Sequence, residues 1–232
     1  MTIITVSRQF GSGGDEIAAR VAALLDYLEF DRRVIMQAAQ EVGLSEQEII
    51  DYSEENHKIR GFLDQLFGRS RSVTTARVWK DDPSGTRVVE AFDVTEGAAV
   101  ALVQKAIESA YRAGNMVIVG RGGQVILKDR PDVLHVRIEA PLEDRIQRVK
   151  QMIKQTEGDY HADVDIRRKA QDLIEQRDAA SEDYMRRFYH VDLRDLMLYH
   201  LVMNTGKISI EQAALLVVRE ARMLEQSDQV TV

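Results

Sequence analysis

The chain has 232 residues, 31 Lys plus Arg against 38 Asp plus Glu, a formal net charge of -7 and no cysteine. A chain of this length suits one sizeable domain with an insertion and buries roughly 70% of its unfolded surface, so it needs no covalent staple. The missing cysteine excludes a disulfide scaffold, a thiolate nucleophile and a cysteine-based zinc site, and the acidic balance argues against a nucleic-acid partner held by phosphate electrostatics.

The N-terminal residues 2–7, Thr-Ile-Ile-Thr-Val-Ser, form a β-branched run that stops at Gly11-Ser-Gly-Gly14, which predicts a strand running into a turn. This apolar stretch is too short for a secretory signal, and the longest later runs, such as 213–218, fall far short of the ~20 residues of a membrane span. A cytoplasmic protein with no membrane partner is the expectation. From Asp15 the spacing of Ile17, Ala18, Val21, Ala22, Leu24 and Leu25 predicts a helix over 15–26, with Asp15 and Glu16 in its first turn. A short run at 27–30 predicts a second strand, and 116–119, 133–138 and 200–203 predict three more. Helices are expected at 32–42, 45–67, 95–114, 141–156, 164–188 and 208–226. Such alternation implies an α/β fold with a parallel sheet and helices on its faces. Residues 69–94 fit that sheet poorly. They carry Arg69, Arg71, Arg77, Lys80 and Arg87 around the turn-forming Asp81-Asp-Pro-Ser-Gly85, and read equally as a hairpin of 73–79 with 86–92 or as a flap.

A glycine loop between a strand and a helix suits phosphate binding, because backbone N–H groups and the helix N-terminus converge on the anion. Gly11, Ser12, Gly13 and Gly14 occupy that place, but the Walker pattern G-x-x-x-x-G-K-[ST] is incomplete. With Gly13 as its last glycine, Arg8 stands at the first glycine, Gly14 at the lysine and Asp15 at the Ser/Thr. Asp15 and Glu16 would repel phosphates there unless Arg8 swings its guanidinium onto them and Asp15 holds Mg²⁺. The plainer alternative makes Asp15 a helix cap and leaves Arg8 in solvent. Arg121, just after the strand at 116–119, lies where open α/β sheets bind ligands; it reads as a phosphate ligand or as one half of a structural ion pair. In the basic helix ahead of residue 188, Ile166, Ala170 and Leu173 form a stripe that continues to Arg177, which reads as a cation for transferring phosphates or as a solvated side chain. The five histidines show no metal spacing, and His135 on a central strand reads as a satisfied core residue.

Three stretches carry a resemblance. Ile4-Thr-Val-Ser-Arg-Gln-Phe-Gly-Ser-Gly-Gly-Asp-Glu-Ile-Ala18 with Phe30-Asp-Arg-Arg-Val-Ile35 soon after, Val117-Ile-Val-Gly-Arg-Gly-Gly123 with the run from Leu127 to Ile146, and His200-Leu-Val-Met-Asn-Thr-Gly-Lys-Ile-Ser-Ile-Glu-Gln-Ala213 resemble the cytidylate kinase-like family of P-loop proteins. The resemblance implies a nucleoside monophosphate kinase-like fold with a five-stranded parallel sheet, a core of about 1–31, 95–157 and 189–232, a nucleotide-side insertion at about 32–94 and a lid at about 158–188. It implies an ATP- and Mg²⁺-dependent phosphotransferase acting on a nucleotide or another small acceptor, with Arg8 and Arg177 as catalytic cations, Gly11, Ser12, Gly13, Gly14 and Asp15 at the phosphates, Arg121, Arg32 and Arg33 on the acceptor side and Asp15 on the metal. Authentic cytidylate kinases carry a loop lysine and an Asp on either side of a Gly-Arg pair, whereas this chain has Gly14, and Val119 and Gly122 around Gly120-Arg121. Specificity for CMP is therefore not expected. The alternative is a catalytically inactive nucleotide-binding protein on the same fold, for which Gly14→Lys with Asp15→Ser would be a probe of lost chemistry. Helices such as 45–67 leave a homodimer open, and helices 32–67 give a protein-interaction module only an amphipathic pattern.

Overall fold

A computed structural model of the protein describes residues 2–30, 74–81, 87–94, 96–157 and 163–230. It divides into two compact units, one of residues 1–29 with 113–232 and one of residues 30–112. The predicted helices 32–42 and 45–67, together with Arg32 and Arg33, lie outside the described residues.

The first unit is built on strands β1 (Ile3–Arg8) and β2 (Leu28–Glu29), with helix α1 (Gly14–Leu25) between them. In the second unit β3 (Thr74–Asp81) and β4 (Arg87–Val94) pair antiparallel from Thr74 opposite Val94 to Asp81 opposite Arg87, so the hairpin reading holds over the flap. Helix α2 (Glu96–Ala113) follows, burying Ala106 and Ile107 and, one turn on, Ala110 on one face. The first unit resumes with β5 (Met116–Val119), the short α3 (Gly123–Ile126), β6 (Val133–Glu139), α4 (Leu142–Glu157), α5 (Asp163–Tyr189), β7 (Leu201–Asn204) and α6 (Ile210–Val230).

Five strands form one sheet in the order β2-β5-β1-β6-β7, every neighbouring pair parallel. β1 sits at the centre, with Thr5 opposite both Ile118 and His135. A central parallel strand is covered on both faces, which is why residues 3–7 are all buried and read as a nearly unbroken apolar run. Alternate residues divide between the faces. Ile4, Val6, Val117, Leu134, Val136 and Ile138 form one core with Ile17, Ala18, Val21 and Ala22 of α1 and Ala213, Ala214, Val217 and Val218 of α6. Each large aliphatic side chain so buried contributes about 1.5–3 kcal/mol, so this layer fixes how β1 enters α1. Arg20 and Glu211 pair between α1 and α6 at its rim. The opposite face is more polar, carrying buried Thr5, Ser7, His135 and Arg137. There Arg137 donates to Ser7 Oγ at 2.8 Å and to Glu139 Oε1 at 3.2 Å.

A second cluster joins α4 to α5 through Ile146, Val149, Ile153, Ile166, Ala170 and Ile174, with Phe10 packed against it. The predicted stripe of α5 is therefore rotated slightly, since Ile174 is fully buried and Leu173 only partly so. Arg167 clamps Glu143 with both guanidinium nitrogens, at 2.6 and 2.7 Å, adding a fork-to-fork tie between the two helices.

Candidate active site

The loop from Gln9 to Gly13 leaves the carboxyl end of the central strand and opens α1. Gly13 is its N-cap at φ +83, a left-handed conformation that glycine adopts without strain, and it offers no side chain to cap the helix. No N-cap side chain therefore competes for the first-turn N–H groups of α1, an arrangement that suits an anion. The N-cap is Gly13, and Asp15 stands one residue inside the helix, so the reading of Asp15 as the cap does not hold.

Three successive carbonyls of this loop are engaged by other parts of the chain. Phe10 C=O accepts from Arg145 Nη1 at 3.3 Å, Gly11 C=O from Arg148 Nη1 at 3.3 Å, and Ser12 C=O from Thr205 Oγ1 at 2.6 Å. Arg148 also donates to the Thr205 hydroxyl at 3.1 Å and its carbonyl at 3.0 Å. These bonds, with those of the Phe10 N–H to Asp178 Oδ1 and the Ser12 N–H to the Gln9 carbonyl, hold the loop's backbone in place. The Ser12 hydroxyl is buried without a hydrogen-bond partner, a polar atom that an oxygen-rich ligand would satisfy. Gly11 fits this packing because an added Cβ would stand 2.8 Å from Val149 Cγ2 and 3.1 Å from Arg145 O.

Asp178 of α5 ties the loop to the basic helix. Its Oδ1 accepts the Phe10 N–H at 2.9 Å and its Oδ2 pairs with Arg145 Nη1 at 2.5 Å. Arg177 lies over the Phe10 ring, 5.3 Å from its centroid. Arg177 is thus beside the loop, as part of the α5 surface that holds Phe10.

Arg8 crosses from β1 toward the neighbouring strand. Its Nε donates to Asp15 Oδ1 at 3.0 Å, and its Nη1 is 2.6 Å from the point where a Cβ on Gly120 would sit. Beyond β5 the chain turns through three consecutive left-handed residues, Gly120 at φ +68, Arg121 at φ +58 and Gly122 at φ +77. A left-handed arginine is strained, and such strain concentrates where a side chain must be aimed. Gly122 in turn lies against Tyr189, whose ring a Cβ would approach to 3.0 Å. The structure thus brings Arg8, Asp15 and the glycine loop together, with Gly120 of the Arg121 turn against the Arg8 guanidinium. Among the described residues no group of three or more acidic, histidine or cysteine side chains forms a ready-made metal site. The acidic member of this cluster is Asp15, exposed and paired with Arg8. One carboxylate completed by phosphate oxygens is a sufficient donor set for Mg²⁺, so the residues present fit that ion without providing a full cage.

Sequence reading did not find Arg145, Arg148 and Thr205. The two arginines are three residues apart on α4 among Glu143, Asp144 and Gln147, a pattern that also describes a solvated helix face. Their spacing places them on the same side as Ile146 and Val149, which was the available signal. Thr205→Val should cost about 1–2 kcal/mol of unfolding free energy, because it leaves the Ser12 carbonyl without its donor and removes one of the three acceptors of Arg148. Urea denaturation measures this, and an unchanged midpoint would contradict the anchoring role.

A glycine loop after the central strand of a five-stranded parallel sheet, running into an uncapped helix, defines a P-loop kinase-like fold. The model of the cytidylate kinase-like family matches residues 3–207, and the chain belongs to that family. In structure it is similar to an uncharacterised protein from Eubacterium ventriosum, with 17% identity, a TM-score of 0.59 and coverage of 96% of this chain and 99% of that one. Shikimate kinase from Bacteroides thetaiotaomicron matches with 13% identity and a TM-score of 0.45 over 97% and 98% of the two chains. Shikimate kinase from Acinetobacter baumannii, in complex with shikimate, matches with 13% identity and a TM-score of 0.42 over 94% and 92%. No curated protein matches the sequence. No described helix is long and apolar enough to cross a membrane.

Proposed function

We propose that the protein is an ATP-dependent phosphotransferase whose donor phosphates lie in the loop Gly11–Asp15 and whose acceptor is a nucleotide or another small molecule on the side of Arg121. The observation that carries this reading is the commitment of the carbonyls of residues 10, 11 and 12 to Arg145, Arg148 and Thr205, ahead of a helix that has no side-chain cap. A loop built this way is organised for an anion before any ligand arrives, and in-line phosphoryl transfer asks chiefly for positioning and charge neutralisation.

In this reading the first-turn N–H groups of α1 and the Ser12 hydroxyl hold phosphate oxygens, Arg8 neutralises the donor phosphates, and Arg121 grips an acceptor phosphate. Asp15 is assigned to Mg²⁺, which when bound supplies charge neutralisation between phosphates. Arg177, over Phe10, is the α5 arginine assigned to the charge that develops on transfer. The acceptor side has Val119 and Gly122 where cytidylate kinases carry carboxylates, so recognition of a cytosine base is not part of the proposal.

A second reading, a nucleotide-binding protein without turnover, is favoured by the engagement of Asp178 with Arg145 and the Phe10 N–H, which keeps α5 docked on the loop. Calorimetric titration with ATP, with and without Mg²⁺, followed by turnover assays across phosphorylatable small molecules, separates the two. Saturable Mg²⁺-dependent binding with turnover supports the transferase, and binding without turnover on any acceptor supports the second reading. No heat, with an unchanged melting temperature at millimolar ATP, would overturn both.

A further inference from the structure

Arg8 and Gly14 exclude each other's side chains. A Cβ on Gly14 would lie 2.5 Å from Arg8 Cβ and 2.9 Å from Arg8 Cγ, with Ile138 Cβ at 3.4 Å. These atoms of Arg8 are the root of its stem. β1 fixes their position, so rotation of the outer side chain cannot clear the clash. Gly14 is itself buried, and the Arg8 stem fills the space that a side chain on it would need. In a complete Walker loop the small residue comes first and the cation comes after the last glycine. Here the cation stands at the first of those positions and the side-chain-free residue at the second.

The outer part of Arg8 reaches the next turn. Its Nη1 lies 2.6 Å from the site of a Cβ on Gly120, a residue whose left-handed backbone, φ +68, itself favours glycine. Its Nε is bound to Asp15 Oδ1. Asp15 is 67% exposed against 23% for Arg8, so this pair is weakly held and can be exchanged for a stronger anion. The planar fork lies beside the opening turn of α1 and against the turn that carries Arg121, where two donors on one face suit phosphate oxygens.

We propose that the cation of the phosphate site has moved from the first turn of α1 to the end of β1: Arg8 supplies the charge, and Gly14 is bare so that its stem fits. The inference rests on the phosphate-binding reading of the loop and adds to it a coupled pair of positions that can hold one large side chain between them. It also accounts for why Gly14→Lys cannot serve by itself as a probe of lost chemistry, since the added stem meets Arg8.

The test is a set of variants, Arg8→Met, Gly14→Lys and the double Arg8→Gly with Gly14→Lys, titrated with MgATP and with inorganic tripolyphosphate and melted in parallel. Arg8→Met keeps an unbranched stem and removes the charge. It should leave the melting temperature within about 2 °C while weakening tripolyphosphate binding about 10–100-fold. Gly14→Lys should lower both stability and affinity, and the double variant should recover tripolyphosphate affinity to within about 3-fold of the parent. Arg8→Met binding as tightly as the parent, or a double variant no better than Gly14→Lys, would overturn this inference and leave the loop's function standing. A parent protein that binds neither MgATP nor tripolyphosphate would overturn the phosphate-binding reading and this inference together. Binding of tripolyphosphate alone, with the same Arg8 dependence, would support the exchange while overturning ATP as the donor.

Discussion

Replacing Arg145 by alanine is expected to lower the unfolding free energy by about 3 kcal/mol and to weaken phosphate binding in a loop that Arg145 touches through a carbonyl. The Arg145 side chain is 9% exposed and Asp178 24%, so truncation would strand a largely buried carboxylate whose remaining contact is the Phe10 N–H. Losing one partner of such a pair costs far more than the pair is worth, because the other keeps its desolvation penalty. The same truncation frees the Phe10 carbonyl, which accepts from Arg145 at 3.3 Å, and loosens α5 from the loop. Exposed ion pairs elsewhere, such as Arg194 with Glu182, should change stability far less when broken, because solvent screens them. Urea denaturation gives the stability change, and titration with tripolyphosphate gives the loss of affinity, expected at about 10-fold from loss of loop order. The double replacement Arg145→Met with Asp178→Leu should recover much of the stability, since no buried charge is left unpaired, while affinity stays low because Phe10 remains untied. An Arg145→Ala protein with the parent's denaturation midpoint would show that the Asp178 carboxylate finds water or another partner at no cost.

What sequence could reveal followed the range of the interactions involved. β1, the loop 11–14 and α1 are adjacent in the chain, and β-branched content, glycine and helical spacing are local signals, so this segment was legible residue by residue. The order of the remaining strands was legible for the same reason, and the hairpin at 74–94 could be offered from turn chemistry though not chosen over a flap. Helix α3 was missed because four residues are too few to show a period. The supports of the loop were missed because they are distant in sequence: Arg145 reaches Phe10 across 135 residues and Thr205 reaches Ser12 across 193. In the sequence they are one charged residue among several on a helix and one threonine after a strand. The alternative of Asp15 as a cap rested on how common Asp is at that position, and the left-handed Gly13 places the cap two residues earlier. The exclusion between Arg8 and Gly14 was equally invisible, since it depends on how closely the end of β1 passes the start of α1.

Acid should destabilise the protein through His135 before most of its carboxylates are titrated away. This residue is buried on β6, beside the central strand, where its Nδ1 and Thr5 Oγ1 share a hydrogen bond of 2.7 Å. Its backbone N–H donates to His200 Nδ1 at 2.9 Å, and the two rings stack with centroids 5.2 Å apart. Burial, reinforced by the charge of neighbouring His200 and opposed by the Leu127 carbonyl, pulls the His135 imidazole from 6.5 down to about 4. The unfolded chain therefore takes up a proton near pH 6.5 that the folded protein refuses until about pH 4. Between those values the unfolded state binds more protons, so stability falls as pH falls, by about 1.4 kcal/mol per pH unit and about 3 kcal/mol in all. Above pH 6.5 the imidazole is neutral in both states and contributes no slope. Glu143 acts in a lower window, because its hydrogen bonds from Arg167 hold it at about 2, and its contribution is lost only as pH drops from about 4.5 toward that value. Urea midpoints taken from pH 8 to pH 4 should be flat at first and then decline from pH 6.5 with the slope of one proton. His135→Asn, whose amide oxygen can accept from Thr5, should flatten that decline while lowering stability at pH 7. A variant that keeps the full slope would move the acid sensitivity from His135 to another group.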